Sequence, residues 1–106
     1  MTSDINNQII KYNFYKISLE WRKLPQKQKE SDKEELSEII KEATRQMQIR
    51  SYSLIGMRSD VDLLLWCIGS NPEQHQELSE SINKSSIGRY LETPYSYLAT
   101  TRKSQY

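Results

Sequence analysis

Apolar residues recur along this chain with two periods, and the periods alternate. Between Lys11 and Glu20 (KYNFYKISLE), Tyr15, Ile17 and Leu19 alternate with polar partners, and aromatic and β-branched types dominate. A period of two predicts a strand that turns one face to a core. Trp21, Leu24 and Pro25 follow, and a proline, which cannot donate to a ladder, closes the strand. From Gln26 to Met47 the period changes. Leu36, Ile40, Ala43 and Met47 recur at four, three and four, a single stripe on a helix. Ser31 with Glu34 three residues later reads as a capping box, which puts the firm start of this helix near Ser31. The charged remainder is a solvated face.

Ile49 to Met57 (IRSYSLIGM) and Val61 to Ile68 (VDLLLWCI) read as two further strands, with Arg58, Ser59 and Asp60 as a tight hairpin between them. Asn71-Pro72-Glu73-Gln74 is a helix start, with Asn as N-cap, Pro at the first helical position and Gln at the third. That helix is predicted to run to about Lys84 with Leu78 and Ile82 facing the core. A short turn, IGRYL, precedes a last strand from Thr93 to Arg102. The order strand, helix, strand, strand, helix, strand predicts an α+β fold. It is the ferredoxin-like βαββαβ arrangement, a four-stranded antiparallel sheet with two helices on one face. Residues 1–10 are expected to be a flexible start and 11–106 a single module. Leu63 to Ile68 is apolar on both sides of its strand, whereas a half-exposed strand carries polar residues outward. The face away from the helices is therefore expected to pack against a second copy or a second module, pairing two sheets into an α+β barrel.

Charge and composition remove several classes of function. Fifteen Lys and Arg against fourteen Asp and Glu leave a net charge of +1. A nucleic-acid binder needs a basic stripe to neutralise phosphates, so none is expected as a partner. No apolar stretch approaches a membrane span, and the start MTSDINNQ lacks the basic-then-apolar pattern of a signal peptide. These features predict a cytoplasmic protein without a membrane partner. Cys67 is the only cysteine and lies within LLLWCIG, where a cysteine behaves as a small buried hydrophobe. An internal disulfide is excluded.

The candidate chemistry is sparse. Arg58, Asp60 and Asp62 invite a metal or phosphate reading, but a hard cation needs at least about six oxygens, and an Arg–Asp pair across a turn is the simpler use. His75 is expected to be an exposed helical histidine, and Glu73 and Glu77 do not complete a ligand set around it. Tyr12, Tyr15, Tyr52, Tyr95 and Tyr97 read as sheet residues that pack across strands, some at an interface. Arg89 and Arg102 read as surface ion-pair residues. The sequence holds no Gly-rich phosphate loop, no Ser-His-Asp set and no glycosidase-like carboxylate pair.

Five motifs in register resemble the chlorite dismutase–coproheme decarboxylase family. Tyr52 to Trp66 (YSLIGMRSDVDLLLW) is similar to that family's strand, Gly-x-Arg-x-Asp-x-Asp and apolar run ending in Trp. Asn71 to Gln76 (NPEQHQ) opens its second helix. Ser85 to Leu91 (SSIGRYL) resembles its small-x-x-Gly-x-Tyr-Leu turn, and Pro94 to Tyr106 its Tyr-Ser-Tyr strand ending in Ser-x-Tyr. Trp21 and Leu24 match the Trp-x-x-Leu after the first strand. The resemblance spans about Tyr12 to Tyr106. It implies the amino-terminal half of a subunit built from two ferredoxin-like modules, with haem or coproheme as cofactor and peroxide-dependent oxidation at its iron. Within that family haem biosynthesis is the expected activity ahead of chlorite conversion. The second module supplies the proximal His, which has no counterpart here, so no catalytic residue and no metal ligand is assigned. This half is expected to be mainly scaffold. By the same resemblance Tyr106 is the cofactor-binding candidate, its phenol donating to a porphyrin propionate. The simpler alternative is a terminal residue without a partner. Two other functions stand beside this one: a non-catalytic assembly module that pairs through its open face, and a cofactor-free oxygenase of the dimeric α+β barrel type. The oxygenase needs polar residues aimed into the barrel, and the third strand offers none.

Overall fold

The computed structural model describes residues 8–101. Four strands and three helices run in the order β1 (Gln8–Ile17), α1 (Leu19–Arg22), α2 (Gln26–Ala43), β2 (Gln48–Ser53), β3 (Leu63–Gly69), α3 (Pro72–Lys84) and β4 (Leu91–Thr101). A 3-10 turn, Ile87–Tyr90, joins α3 to β4. The strands form one sheet in the order β2-β3-β1-β4, with every neighbouring pair antiparallel. This is the ferredoxin-like α+β fold the periodicity predicts.

The element boundaries moved for identifiable reasons. Gln8, Ile9 and Ile10, expected within a flexible start, belong to β1, because Ile9 pairs with both Gly69 and Thr100 and Gln8 pairs with Thr101. The same strand stops at Ile17 rather than Glu20. The next residues wind into α1, which folds Trp21 inward to 6 % exposure. Helix α2 starts directly after Pro25, whose carbonyl accepts from Lys29 at 3.1 Å, so Ser31 lies inside the helix and the Ser31–Glu34 capping box does not form. Strand β2 ends at Ser53. The link to β3 is a longer loop rather than a tight hairpin, closed by Leu54 N–H donating to the Asp62 carbonyl at 2.8 Å. Gly56 sits in it at φ +84°, which glycine adopts without steric cost. Helix α3 starts as predicted, with the Asn71 side chain accepting from Gln74 N–H at 3.0 Å and Pro72 at the first position.

The core lies between the sheet and α2 and α3. Tyr15, Leu65 and Cys67 from the central strands meet Met47, Leu78 and Ile82, with Leu36, Ile39, Ile40 and Ala43 packed around them. Strand residues alternate in direction. Tyr12, Phe14, Leu64, Trp66 and Ile68 therefore point away from the helices, and each is only half-buried. β4 carries a bulge where Thr93 and Pro94 oppose Tyr15 between the pairs Phe14–Tyr95 and Lys16–Glu92. A proline in a strand lacks the N–H for the ladder and belongs on an edge or at a bulge, and Pro94 occupies both.

Candidate functional site: the open face of the sheet

The face without helices is aromatic. Its residues stand in rows set by strand register: Arg50, Trp66, Tyr12 and Tyr97 in one, Tyr52, Leu64, Phe14 and Tyr95 in the next. Tyr12 stacks on Trp66 with centroids 6.3 Å apart and planes 12° from parallel. Phe14 meets Tyr95 and Tyr97 edge to face at 6.2 and 6.0 Å. Two guanidinium groups lie on these rings. Arg50 is 5.1 Å from the centroid of Trp66, and Arg58 is 5.8 Å from Phe14 and 5.7 Å from Tyr95. Cations are drawn to the negative face of an aromatic ring, so both arginines cover apolar surface while keeping their charge at its rim. Arg58 is also held by Asp60 in a two-pronged contact of 2.9 and 2.7 Å. Its hydrogen bond holds the Asp60 carboxyl below its ordinary range, and the neighbouring carboxylate pushes the Tyr95 phenol up. The Trp66 indole N–H is shielded from water and has no acceptor among the described residues.

The other residues singled out in the sequence do not converge here. Asp60 and Asp62 part company. Asp60 pairs with Arg58 as expected, whereas Asp62 is 5 % exposed and accepts from the Ile17 N–H at 2.8 Å, with Arg22 at 3.4 Å. It ties the start of β3 to the end of β1. His75, expected to be exposed, is buried at 5 %. One ring nitrogen, Nε2, lies 2.9 Å from the Ile9 carbonyl and donates to it, which leaves Nδ1 without a partner. Burial holds its pKa below the ordinary histidine value. Tyr15 separates from the other tyrosines and enters the core, where burial pushes its phenol up to about 12. Cys67 is fully buried and burial pushes its thiol up to about 11, so it is the inert hydrophobe its surroundings imply. Arg89 is exposed, at the rim of a cavity of about 370 Å³ that also reaches Asp32, Gln28 and Tyr90. Among the described residues no three His, Cys, Asp or Glu side chains are grouped as a metal site demands, and no helix is long and apolar enough to cross a membrane. Arg102 and Tyr106 lie outside the described residues.

Two side-chain contacts have no counterpart in the sequence analysis. Asp32, 1 % exposed, accepts from the Trp21 indole at 2.9 Å and from Gln28 at 2.7 Å. Its signal was its place four residues before Leu36, in line with the apolar stripe of α2. The Arg50–Trp66 stack had no signal, because it joins β2 to β3 through register alone.

The chlorite dismutase family model matches residues 29–106. Among solved structures, chlorite dismutase from Candidatus Nitrospira defluvii bound to imidazole superposes with a TM-score of 0.87 at 16 % identity, over 100 % of this chain and 43 % of its own. A mutant of the same enzyme gives 0.88 at 16 %, over 95 % and 42 %. A haem-binding protein from Thermus thermophilus gives 0.76 at 21 %, over 90 % and 40 %. At such identities these likenesses speak for the fold, and the chain spans less than half the length of each of these proteins. The family model covers most of the sequence, and it carries the assignment: the chain belongs to the chlorite dismutase family.

Proposed function

We propose that this chain is the scaffold half of a haem- or coproheme-dependent oxidoreductase, acting through haem biosynthesis chemistry rather than chlorite conversion. The observation that carries this is the family match over residues 29–106. Bound haem would supply the redox chemistry, and the protein's part would be to position it and tune its iron. The histidine, the cysteine and the core methionine do not fit as ligands to that iron. His75 is buried with one nitrogen engaged by Ile9, Cys67 is fully buried as a thiol, and Met47 is packed in the core at 6 % exposure. On this reading the axial ligand comes from outside this half, which contributes the sheet against which a second module or a second copy packs. Tyr106 is its one proposed contact to the cofactor, through a propionate.

Titrating the purified chain with ferric haem and with coproheme, followed by the Soret band, tests this division of labour. No shifted, saturable band is expected. A stoichiometric band lost in His75→Ala would overturn the scaffold role. A band weakened only in Tyr106→Phe would show that this half holds the propionate contact without the iron.

A second reading, a non-catalytic module that pairs through its open face, is favoured by the aromatic rows of that face and by the lack of a fitting ligand. It predicts that the chain assembles identically with and without porphyrin.

A further inference from the structure

The cavity of about 370 Å³ that Arg89 rims lies between the first two turns of α2 and the 3-10 turn before β4. Tyr90 places it at the end of the strands where Ile17 pairs with Leu91, opposite the end where Gln8 pairs with Thr101. None of its walls belongs to the aromatic rows of the open face, so it stands apart from the haem-family reading. Leu24, Pro25 and Tyr90 give it apolar surface. Asp32 and Arg89 give it one charge of each sign, and neither forms a salt bridge among the described residues.

The charged groups nearby are turned elsewhere. Lys33 lies over the Trp21 ring at 5.9 Å, and Lys29 donates to the Arg22 carbonyl at 3.2 Å. Glu35 accepts from the Ser86 N–H at 3.0 Å. A carboxylate as buried as that of Asp32, 1 % exposed, is costly without a cation beside it. Its two oxygens are held differently. Oδ2 accepts from the Trp21 indole at 2.9 Å, and that donor is itself buried. Oδ1 accepts at 2.7 Å from Gln28, whose side chain is exposed. Rotation of Gln28 into solvent uncovers Oδ1 and leaves the Trp21 contact intact.

We propose that this cavity binds a small zwitterion, an α-amino acid with an apolar side chain. Its ammonium replaces the Gln28 carboxamide on Asp32 Oδ1 and brings the missing cation. Its carboxylate meets the Arg89 guanidinium, which presents paired N–H groups suited to a carboxylate. Its side chain lies against Leu24, Pro25 and Tyr90. A charge-assisted contact is about twice as strong as the neutral amide donor it displaces, so the exchange is favourable at Asp32. The volume stands near the lower end of the range for small-molecule sites, about 300–1,000 Å³, which suits a single amino acid. A lone cation or a lone anion would leave the opposite charge of the cavity unanswered.

A heteronuclear NMR titration of the 106-residue chain with L-phenylalanine, up to about 10 mM, tests this. Saturable shifts are expected in the Trp21 indole N–H and in residues 24–32 and 86–90. Phenethylamine, which lacks the carboxylate, and 3-phenylpropionate, which lacks the ammonium, should each bind roughly tenfold more weakly or worse. Arg89→Gln, at an exposed position, should weaken L-phenylalanine by a similar factor and leave phenethylamine unchanged. Asp32→Asn keeps an acceptor for Trp21 and removes the charge, so it should weaken L-phenylalanine and spare 3-phenylpropionate. Near-UV circular dichroism checks that both variants are folded, and Arg89→Gln carries the test alone if Asp32→Asn does not fold. Gln28→Ala should bind at least as tightly as the wild type. Absence of saturable shifts at these residues would overturn the proposal. So would a single-charge analogue that binds as tightly as the amino acid, or loss of binding in Gln28→Ala.

Discussion

His75 ties the first turn of α3 to the start of β1, a central strand, through a neutral ring that donates from Nε2. Its pKa is lowered by burial first and by Lys11 second, with the Ile9 contact acting the other way. A histidine whose folded pKa lies below its unfolded value binds protons more readily when unfolded, so its stability contribution is complete above about pH 6.5 and is lost as pH falls below that. Urea midpoints measured between neutral and mildly acidic pH should fall accordingly, and His75→Gln should flatten that slope while retaining a donor to Ile9. At the alkaline end Cys67 and Tyr15 act in the opposite sense. Their raised values mean that the unfolded chain loses protons first, so stability falls as pH rises past about 9. Gly88 gives a steric prediction. A Cβ there would run into the backbone carbonyls of Ile82 and Asn83, which cannot swing aside as a side chain could. Gly88→Ala should cost about 1–3 kcal/mol in thermal or urea unfolding, the range for overpacking.

Elements with a local signature were legible before the structure, and elements set by distant contacts were not. The start of α3 needs only Asn71 and Pro72, so its boundary was correct to the residue. Asn71→Ala should cost about 1 kcal/mol of stability, read from the urea midpoint at constant m-value. The start of α2 shows the opposite case. Ser31 and Glu34 offered a local cap, but Pro25 and the burial of Trp21 against Asp32 carried the helix back to Gln26. Trp21→Phe keeps the ring and removes the donor. It should destabilise by about 1–3 kcal/mol, because the buried Asp32 carboxylate loses a partner, and Asp32→Leu in the same background should recover part of that. The end of β1 was misplaced for a related reason: Leu19 continues the alternation, yet the chain has already turned at Ser18 to bring Trp21 inward. Of the candidate site, the apolar outward positions of β3 announced the open face. The rows of Arg50 with Trp66 and Arg58 with Phe14 depend on which residues register places side by side, and no single segment contains that information.

Across the whole molecule, α2 and α3 cover the central strands on one side of the sheet, and the other side bears half-buried aromatics under two arginines. A single layer so exposed should bind a hydrophobic dye such as anilinonaphthalene sulfonate. Trp66→Lys on that face is expected to lower the dye fluorescence per chain, and an unchanged signal would contradict that. The pairing of Gln8 with Thr101 has a different consequence. Entry to and exit from the module are adjacent strand ends, about 4.8 Å apart. A few glycines could bridge them. The Leu54–Asp62 loop offers new termini on the surface, so a circular permutant opened there should fold. The same closeness makes the module a cassette, readily fused before, after or inside another chain, and lets one gene carry it singly or in tandem without altering its core.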